Sequence, residues 1–336
     1  MYKASIIVSI DNSFPIINNF FNSLFSNISK SDFEILVIND ACSDLQTVTY
    51  IHDLKAEGKI DTFIDLKNKN GFGKANNIGV EQSSTECLIF MNSDIIIVDD
   101  ILYQLVDIYS QKEYAAIQPL LLYPQTERIQ SAGHIFATYF NRHYLENNSI
   151  ERLPNNEPII RQSLTLAFCV VDKHLFFEAG RFNEFYYNGY EGMELILKIS
   201  QKYKCVLLPH LKAYHVRSVA IKNTTFSEEQ KIPYFWCNCN DIIKNDFVTS
   251  IQKYISAKSY NHTYLSIQLT SLDLYSEVKQ AGINISENIL LLYDGHIELF
   301  SSLPYLYLHT PTPLLFLCDN FMQLNNTHIS IIHNPV

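Results

Sequence analysis

Glycine is scarce in this chain, at ten of 336 residues, about 3% against a usual ~7%. That excludes glycine-rich linkers and collagen-like repeats, and it directs attention to the places where the few glycines fall. Charge is low as well: 18% of residues are charged, against about 25% in ordinary domains. Asparagine and serine supply polarity instead, and 47% hydrophobic residues exclude global disorder. Basic residues are outnumbered, 25 Lys and Arg against 35 Asp and Glu, for a net charge of −10. With no basic stripe along the chain, non-specific nucleic-acid binding is excluded, although a local basic patch can still hold a phosphate. No stretch approaches ~18 uninterrupted apolar residues, so no membrane-spanning helix is expected. The apolar run Ser5–Ile10 stops at Asp11 with no small-residue cleavage site, which argues against a secretory signal. A cytoplasmic protein, at most peripheral to the inner face of a membrane, is the expectation. The seven cysteines, Cys42, Cys87, Cys169, Cys205, Cys237, Cys239 and Cys318, contain no C-x-x-C pair and read as reduced thiols.

At roughly 150 residues per domain, the length suggests two domains, placed at 1–220 and 221–336. The first alternates strand and helix signals. Short β-branched runs at Ser5–Ile10, Phe33–Ile38, Ile60–Leu66 and Cys87–Met91 predict buried strands. Between them lie a helix carrying Ile16, Ile17, Phe20, Phe21, Leu24 and Phe25, a second over Asp44–Glu57, and a third leading from Gly71-Phe72-Gly73 to Gln82. Such alternation predicts an α/β fold: a Rossmann-like, mostly parallel sheet with helices on both faces. Farther on, Leu164–Val171 predicts another strand, His174–Ala179 and Met193–Lys202 short helices, and Phe235–Tyr254 a longer helix. The remainder carries strand-like runs at Tyr264–Leu269, Ile289–Tyr293, Leu314–Cys318 and His328–Ile332, a small mixed C-terminal extension.

Polar residues follow the apolar strands directly: Asp11, Asn39-Asp40, Asn68 and Asn70, and Asn92-Ser93-Asp94. In a doubly wound sheet ligands lie outside the carboxyl ends of the strands, so a shared cleft is the expectation. Helix capping and turn formation require the same residue types.

Six segments in order carry a resemblance: Ser5–Ser13, Glu34–Asp44, Asn70–Gly79 (NGFGKANNIG), Leu88–Asp94, Gln130–Gly133 and Ala179–Leu195, closed by His215. Together they resemble the inverting family 2 glycosyltransferases with the GT-A fold, and the NGFGKANNIG block is most similar to the rhamnosyltransferase-like branch that builds bacterial surface polysaccharides. The resemblance spans roughly residues 3–217. It implies a UDP- or dTDP-sugar donor, a glycan or lipid-linked saccharide acceptor, and a divalent cofactor, Mn²⁺ or Mg²⁺. Ser9, Asp11, Asn39 and Asp40 fall at the nucleotide grip, with Asn39 where the family commonly has an Asp. Gly71 and Gly73 are placed to let backbone approach the donor, and Lys74, Asn76 and Asn77 to reach nucleotide or phosphate. In Asn92-Ser93-Asp94 an amide replaces the first carboxylate of the Asp-x-Asp motif, so Asp94 becomes the first metal ligand, with His215 beside it and Asn92 a neutral ligand or sugar contact. Hard cations favour such oxygen donors.

One departure matters most. Where the family reads close to Asn-Gly-Tyr-Glu-Asp-x-Asp-Leu, this chain reads Asn188-Gly189-Tyr190-Glu191-Gly192-Met193-Glu194-Leu195. The usual general base is thus Gly192, which cannot accept a proton. Either Glu191 or Glu194 takes over, a substrate group serves, or the domain binds sugar nucleotide or glycan, or scaffolds a partner, with impaired catalysis. A sugar nucleotidyltransferase would need a basic glycine-rich loop after the first strand, and Ser9–Phe14 offers none. The C-terminal segment is open between a packed appendage, acceptor binding, peripheral membrane contact and the face of a homo-oligomer.

Overall fold

The computed structural model describes residues 2–11, 13–137, 140–153, 156–216, 228–244, 246 and 250, together with the backbone of three later strands. The chain divides into two compact units, Met1–His134 with Asn147–Ile150 and Asn155–Ile243, and Ile135–Glu146 with Glu151–Pro154 and Lys244–Val336.

In the first unit β1 (Ala4–Ile10) runs parallel to β2 (Phe33–Asn39), β2 to β3 (Thr62–Asp65), and the other edge of β1 to β4 (Cys87–Met91). The crossovers are α1 (Phe14–Asn27), α2 (Leu45–Ala56) and α3 (Gly71–Gln82). Because strand side chains alternate, β1 feeds two cores. Ile6, Val8 and Ile10 pack with α1, α2 and α4 (Ile101–Ser110) on one face, while Ile7 packs with α3, α5 (Lys173–Glu178) and α6 (Glu191–Ser200) on the other. Burial on both faces explains why these strands read as unbroken apolar runs, and it gives the expected doubly wound layering. The order β3-β2-β1-β4 reverses direction between β1 and β4, the place where such sheets open a crevice at their carboxyl ends.

Past β4 the chain reverses more often. A two-residue β5 (Ile95–Ile96) precedes β6 (Ala116–Leu122) and β7 (Ile129–Ser131), and a separate pair is formed by β8 (His134–Ala137) and β9 (Phe140–His143). Strand β10 (Ile159–Ile160) edges the main sheet, β11 (Phe168–Asp172) lies antiparallel between β4 and β6, and β12 (Cys205–His215) runs parallel to β6. The end of β12 pairs antiparallel with β5, His215 opposite Ile95, which fixes one corner of the site.

Two expected elements change. The strand expected over Leu164–Val171 begins only at Phe168. Leu164 and Leu166 are buried against the α5–α6 face, and the Thr165 N–H bonds the Gln118 side chain at 2.8 Å instead of a neighbouring strand. Their hydrophobicity thus reports packing, not pairing. The helix expected over Phe235–Tyr254 is α7 (Glu228–Cys239), followed by one 3₁₀ turn at Asn240–Ile242. Its apolar end was legible but its polar start was not. The stretch 251–254 lies outside the described residues. Helix α7 belongs to the first compact unit, which runs to Ile243.

In the second unit β13 (Leu290–Tyr293), β14 (Leu315–Cys318) and β15 (Ser330–His333) form a parallel sheet, within a residue or two of three expected runs. The fourth, Tyr264–Leu269, lies outside the described residues. Among those residues no helix is long and apolar enough to cross a membrane.

Candidate functional site

The polar residues at the strand ends converge, but most of their side chains are spent on the fold itself. Asp40, buried at the end of β2, accepts the backbone N–H groups of Asn70 at 2.6 Å and Gly71 at 2.8 Å. A carboxylate at a helix start satisfies donors that have no partner within the helix and complements its dipole, so Asp40 caps α3 from a distant strand. Replacing Asp40 by alanine is expected to destabilise the protein by about 2 kcal/mol, the size of a lost cap with charge-assisted bonds, in a urea unfolding series. Asn39 donates to Asp65 at 2.7 Å and accepts from the Cys42 N–H at 2.8 Å. Asn76 donates to Ser9 Oγ at 3.2 Å and to the Phe72 carbonyl at 2.9 Å. Asp11 pairs with Lys69 at 2.7 Å, a half-exposed bridge across the carboxyl edge, and Lys74 points to solvent.

Helix α3 also carries the segment that follows α5. Asn77 holds Phe182 through both its main-chain groups, at 3.0 and 3.1 Å, and donates to Glu184 at 3.1 Å. Gly71 has φ +82, and a Cβ there would overlap the Tyr187 carbonyl group. A Cβ on Gly73 would meet Phe182 Cβ at 3.3 Å and Glu191 Cγ at 3.5 Å. The glycines expected to admit a ligand thus admit the protein's own chain.

The expected metal residues meet. His215 Nε2 lies 3.0 Å from Asp94 Oδ1 and 3.4 Å from Asn92 Nδ2, and Asp94 is 5% exposed. Gln130, from the Gln-Ser-Ala-Gly block, accepts from His215 Nδ1 and donates to the His215 carbonyl at 3.0 Å. This bond fixes the ring with Nε2 toward Asp94, the orientation that histidine ligands usually receive from a second partner. Among the described residues no cluster of three or more His, Cys, Asp or Glu forms a complete cation cage. The pair suits an ion that brings phosphate and water ligands with it, as Mg²⁺ usually does. Motif order places Gln130 in a block without assigning it a role.

At the head of α6 the two glutamates part. Glu194 receives Tyr186 at 2.6 Å, Lys198 at 2.6 Å and Asn183 at 3.2 Å, which anchors the aromatic segment. Glu191 is 4% exposed, and its Oε2 is buried without a hydrogen-bond partner. Burial pushes its carboxyl above the usual glutamate value of 4.5, while the N–H groups of Gly189 and Glu191 itself and the Lys231 charge pull the other way. At Gly192 a Cβ would touch three Leu166 side-chain atoms at 3.1 Å. The turn before α6 is strained, with Tyr187 at φ +62 and Tyr190 at φ +73, and such strain concentrates at functional sites.

The raised Glu191 carboxyl has a consequence for stability. Between pH 4.5 and its higher folded value, the native state holds a proton that the unfolded chain has released, so stability falls as pH rises through that window. Glu191→Gln is therefore expected to raise the melting temperature at pH 7.5 and to lose that gain below about pH 4.5, where both states are protonated. Equal effects at both pH values would refute it.

Comparison with known proteins accords with this geometry. The model of the family described as glycosyl transferase family 2 matches residues 5–176. Poly(ribitol-phosphate) beta-N-acetylglucosaminyltransferase TarS of Staphylococcus aureus is 32% identical over 95 residues, 28% of this chain and only 16% of that protein. Among solved structures, GalNAc-T7 with UDP, GalNAc and Mn²⁺ aligns over 75% of this chain and 53% of its own, with a TM-score of 0.57 at 15% identity. S. aureus TarS 1–349 aligns over 76% and 81%, with a TM-score of 0.48 at 18% identity. The fold is that of the GT-A glycosyltransferases.

Proposed function

The chain belongs to glycosyl transferase family 2, and on that premise we propose that it moves a sugar from a UDP- or dTDP-linked donor to a hydroxyl of a glycan or lipid-linked saccharide, with inversion. The observation that carries this is the Glu191 carboxylate, buried at the head of α6 with one oxygen uncommitted. A desolvated carboxylate is a stronger base than one in water. Glu191 takes the proton of the acceptor hydroxyl as its oxygen bonds to the anomeric carbon; the bond from that carbon to the diphosphate breaks, and the electron pair leaves with the nucleoside diphosphate. Asp11, Ser9, Lys69 and Lys74 border the carboxyl edge where the nucleotide would lie. A divalent ion, Mg²⁺ or Mn²⁺, would neutralise charge on the departing diphosphate, and Asp94 and His215 would hold it, with Asn92 alongside. The Asn70–Gly79 block supports a place in the rhamnosyltransferase-like branch, and the likeness to the poly(ribitol-phosphate) glycosyltransferase TarS supports a polymer as acceptor.

Gly192 favours a second reading, a GT-A domain that binds its sugar nucleotide or glycan, or scaffolds a partner, without turnover. Leu166 fills the space beside the missing aspartate. Purified protein with a panel of sugar nucleotides and Mn²⁺, followed by thermal shift and nucleotide release, separates the two. Release that disappears in Glu191→Ala supports transfer, and binding without release supports the second reading. Absence of binding to every donor sinks transfer and the sugar-nucleotide form of the second reading. Gly192→Asp is expected to lower stability by about 1–3 kcal/mol, the usual cost of overpacking, because Leu166 must yield.

A further inference from the structure

Helix α7 lies past the family match, yet it delivers a cation to this site. Lys231 is 1% exposed, a burial that lysine almost never shows without a charge or carbonyl partner. Its ammonium donates to the Asn188 carbonyl at 2.6 Å. A trans peptide is planar, so its C=O and the following N–H point in opposite directions. Holding the Asn188 carbonyl therefore fixes where the Gly189 N–H points, and that N–H faces the Glu191 carboxylate. The turn cannot hold this orientation through ordinary backbone preference, since Tyr187, Gly189 and Tyr190 all have positive φ. Around Lys231, Tyr190 meets Phe235 with ring centroids 5.2 Å apart and Phe185 stacks on Tyr234 at 3.8 Å, which seats α7 on the same turn.

We infer that Lys231 is a positioning residue of the site: from α7 it orients the Asn188–Gly189 peptide toward Glu191 and brings its own positive charge near that carboxylate. The inference deepens the reading of Glu191 as base. Among the described residues, few groups face Glu191. From α7 it is Lys231; on its own helix Glu194 is committed to Tyr186, Asn183 and Lys198. From α3 it is the Gly73 backbone, beside the exposed Lys74.

The test follows the Glu191 carboxyl carbon by NMR in protein labelled at glutamate side chains, the signal being assigned by its loss in Glu191→Gln. In Lys231→Met, which keeps the buried stem, the titration midpoint is expected to move to higher pH by about one unit or more, the effect of removing a nearby opposite charge. Lys231→Arg is expected to keep the wild-type midpoint. Should the methionine variant fail to fold, Lys231→Gln removes the charge while leaving a donor, and the same upward shift is expected. An unchanged midpoint in a folded, charge-free variant overturns the inference. Turnover adds a separate reading: the acid limb of kcat should rise with the midpoint, whereas a merely structural lysine would lower kcat equally at every pH. If Glu191→Gln keeps full turnover, the base assignment falls, while the NMR midpoints still decide the role of Lys231.

Discussion

Glu191→Gln is expected to cut sugar transfer by about 10²- to 10⁴-fold, the usual worth of a positioned general base, while donor binding stays near wild type. Glutamine keeps the volume and the polar contacts of the buried head of α6 but cannot take a proton. The carboxylate lies on α6, whereas the residues proposed to grip the nucleotide, Ser9 and Asp11, lie at the end of β1. The loss therefore belongs in kcat, not in the dissociation constant of the nucleotide sugar. Donor binding by calorimetry together with nucleotide release in the presence of acceptor measures both. A change in kcat of less than about threefold would move the proton to a substrate group, since a working base contributes far more. The accompanying gain in stability at neutral pH makes the result hard to mistake for misfolding. A variant that is more stable yet slower has lost a group whose burial opposes folding, the trade expected of catalytic residues.

The sheet was legible because both of its faces are covered. Buried parallel strands have no polar face to interrupt them, so β1, β2 and β4 appear in the sequence as apolar runs with ends correct to about one residue. Leu164–Ala167 carries the same signal without a strand partner, and the sequence has no way to distinguish packing from pairing. At the candidate site, the order of motifs located Asp94 and His215, which the structure brings to 3.0 Å. It did not disclose how much polarity the fold consumes. Asn39, Asp40, Asn76 and Asn77 look alike in sequence, at strand ends and on one helix. Asp40 reaches 31 residues ahead to Gly71 and Asn77 reaches 105 to Phe182, and such partners are invisible to local patterns. Lys231 escaped notice for a related reason: in the sequence it is a lysine in a polar helix start, and only the fold turns it inward.

Gly71→Ala is expected to cost about 2–5 kcal/mol and to abolish most turnover, a larger structural penalty than any other single methyl group at this site. Two terms add. An L side chain at φ +82 sits in the left-handed region, at roughly 1–2 kcal/mol. The new Cβ would also overlap the backbone of Tyr187, and backbone cannot rotate away as a side-chain end can, so an overpacking cost of about 1–3 kcal/mol applies. Relief must come from displacing the Tyr187–Tyr190 turn, which carries Glu191 at its end and the Asn188 carbonyl that Lys231 holds. Gly73→Ala is the control. That glycine lies within α3 without a positive φ, its nearest neighbour would be Phe182 Cβ at 3.3 Å, and a helical Gly→Ala change recovers up to about 1 kcal/mol. The two methyl groups, two residues apart on one helix, are therefore expected to differ by several degrees in melting temperature and by a still larger factor in nucleotide release. Equal behaviour of the two variants would show that the turn before α6 moves freely, and would remove the rigid seat on which the Glu191 reading depends.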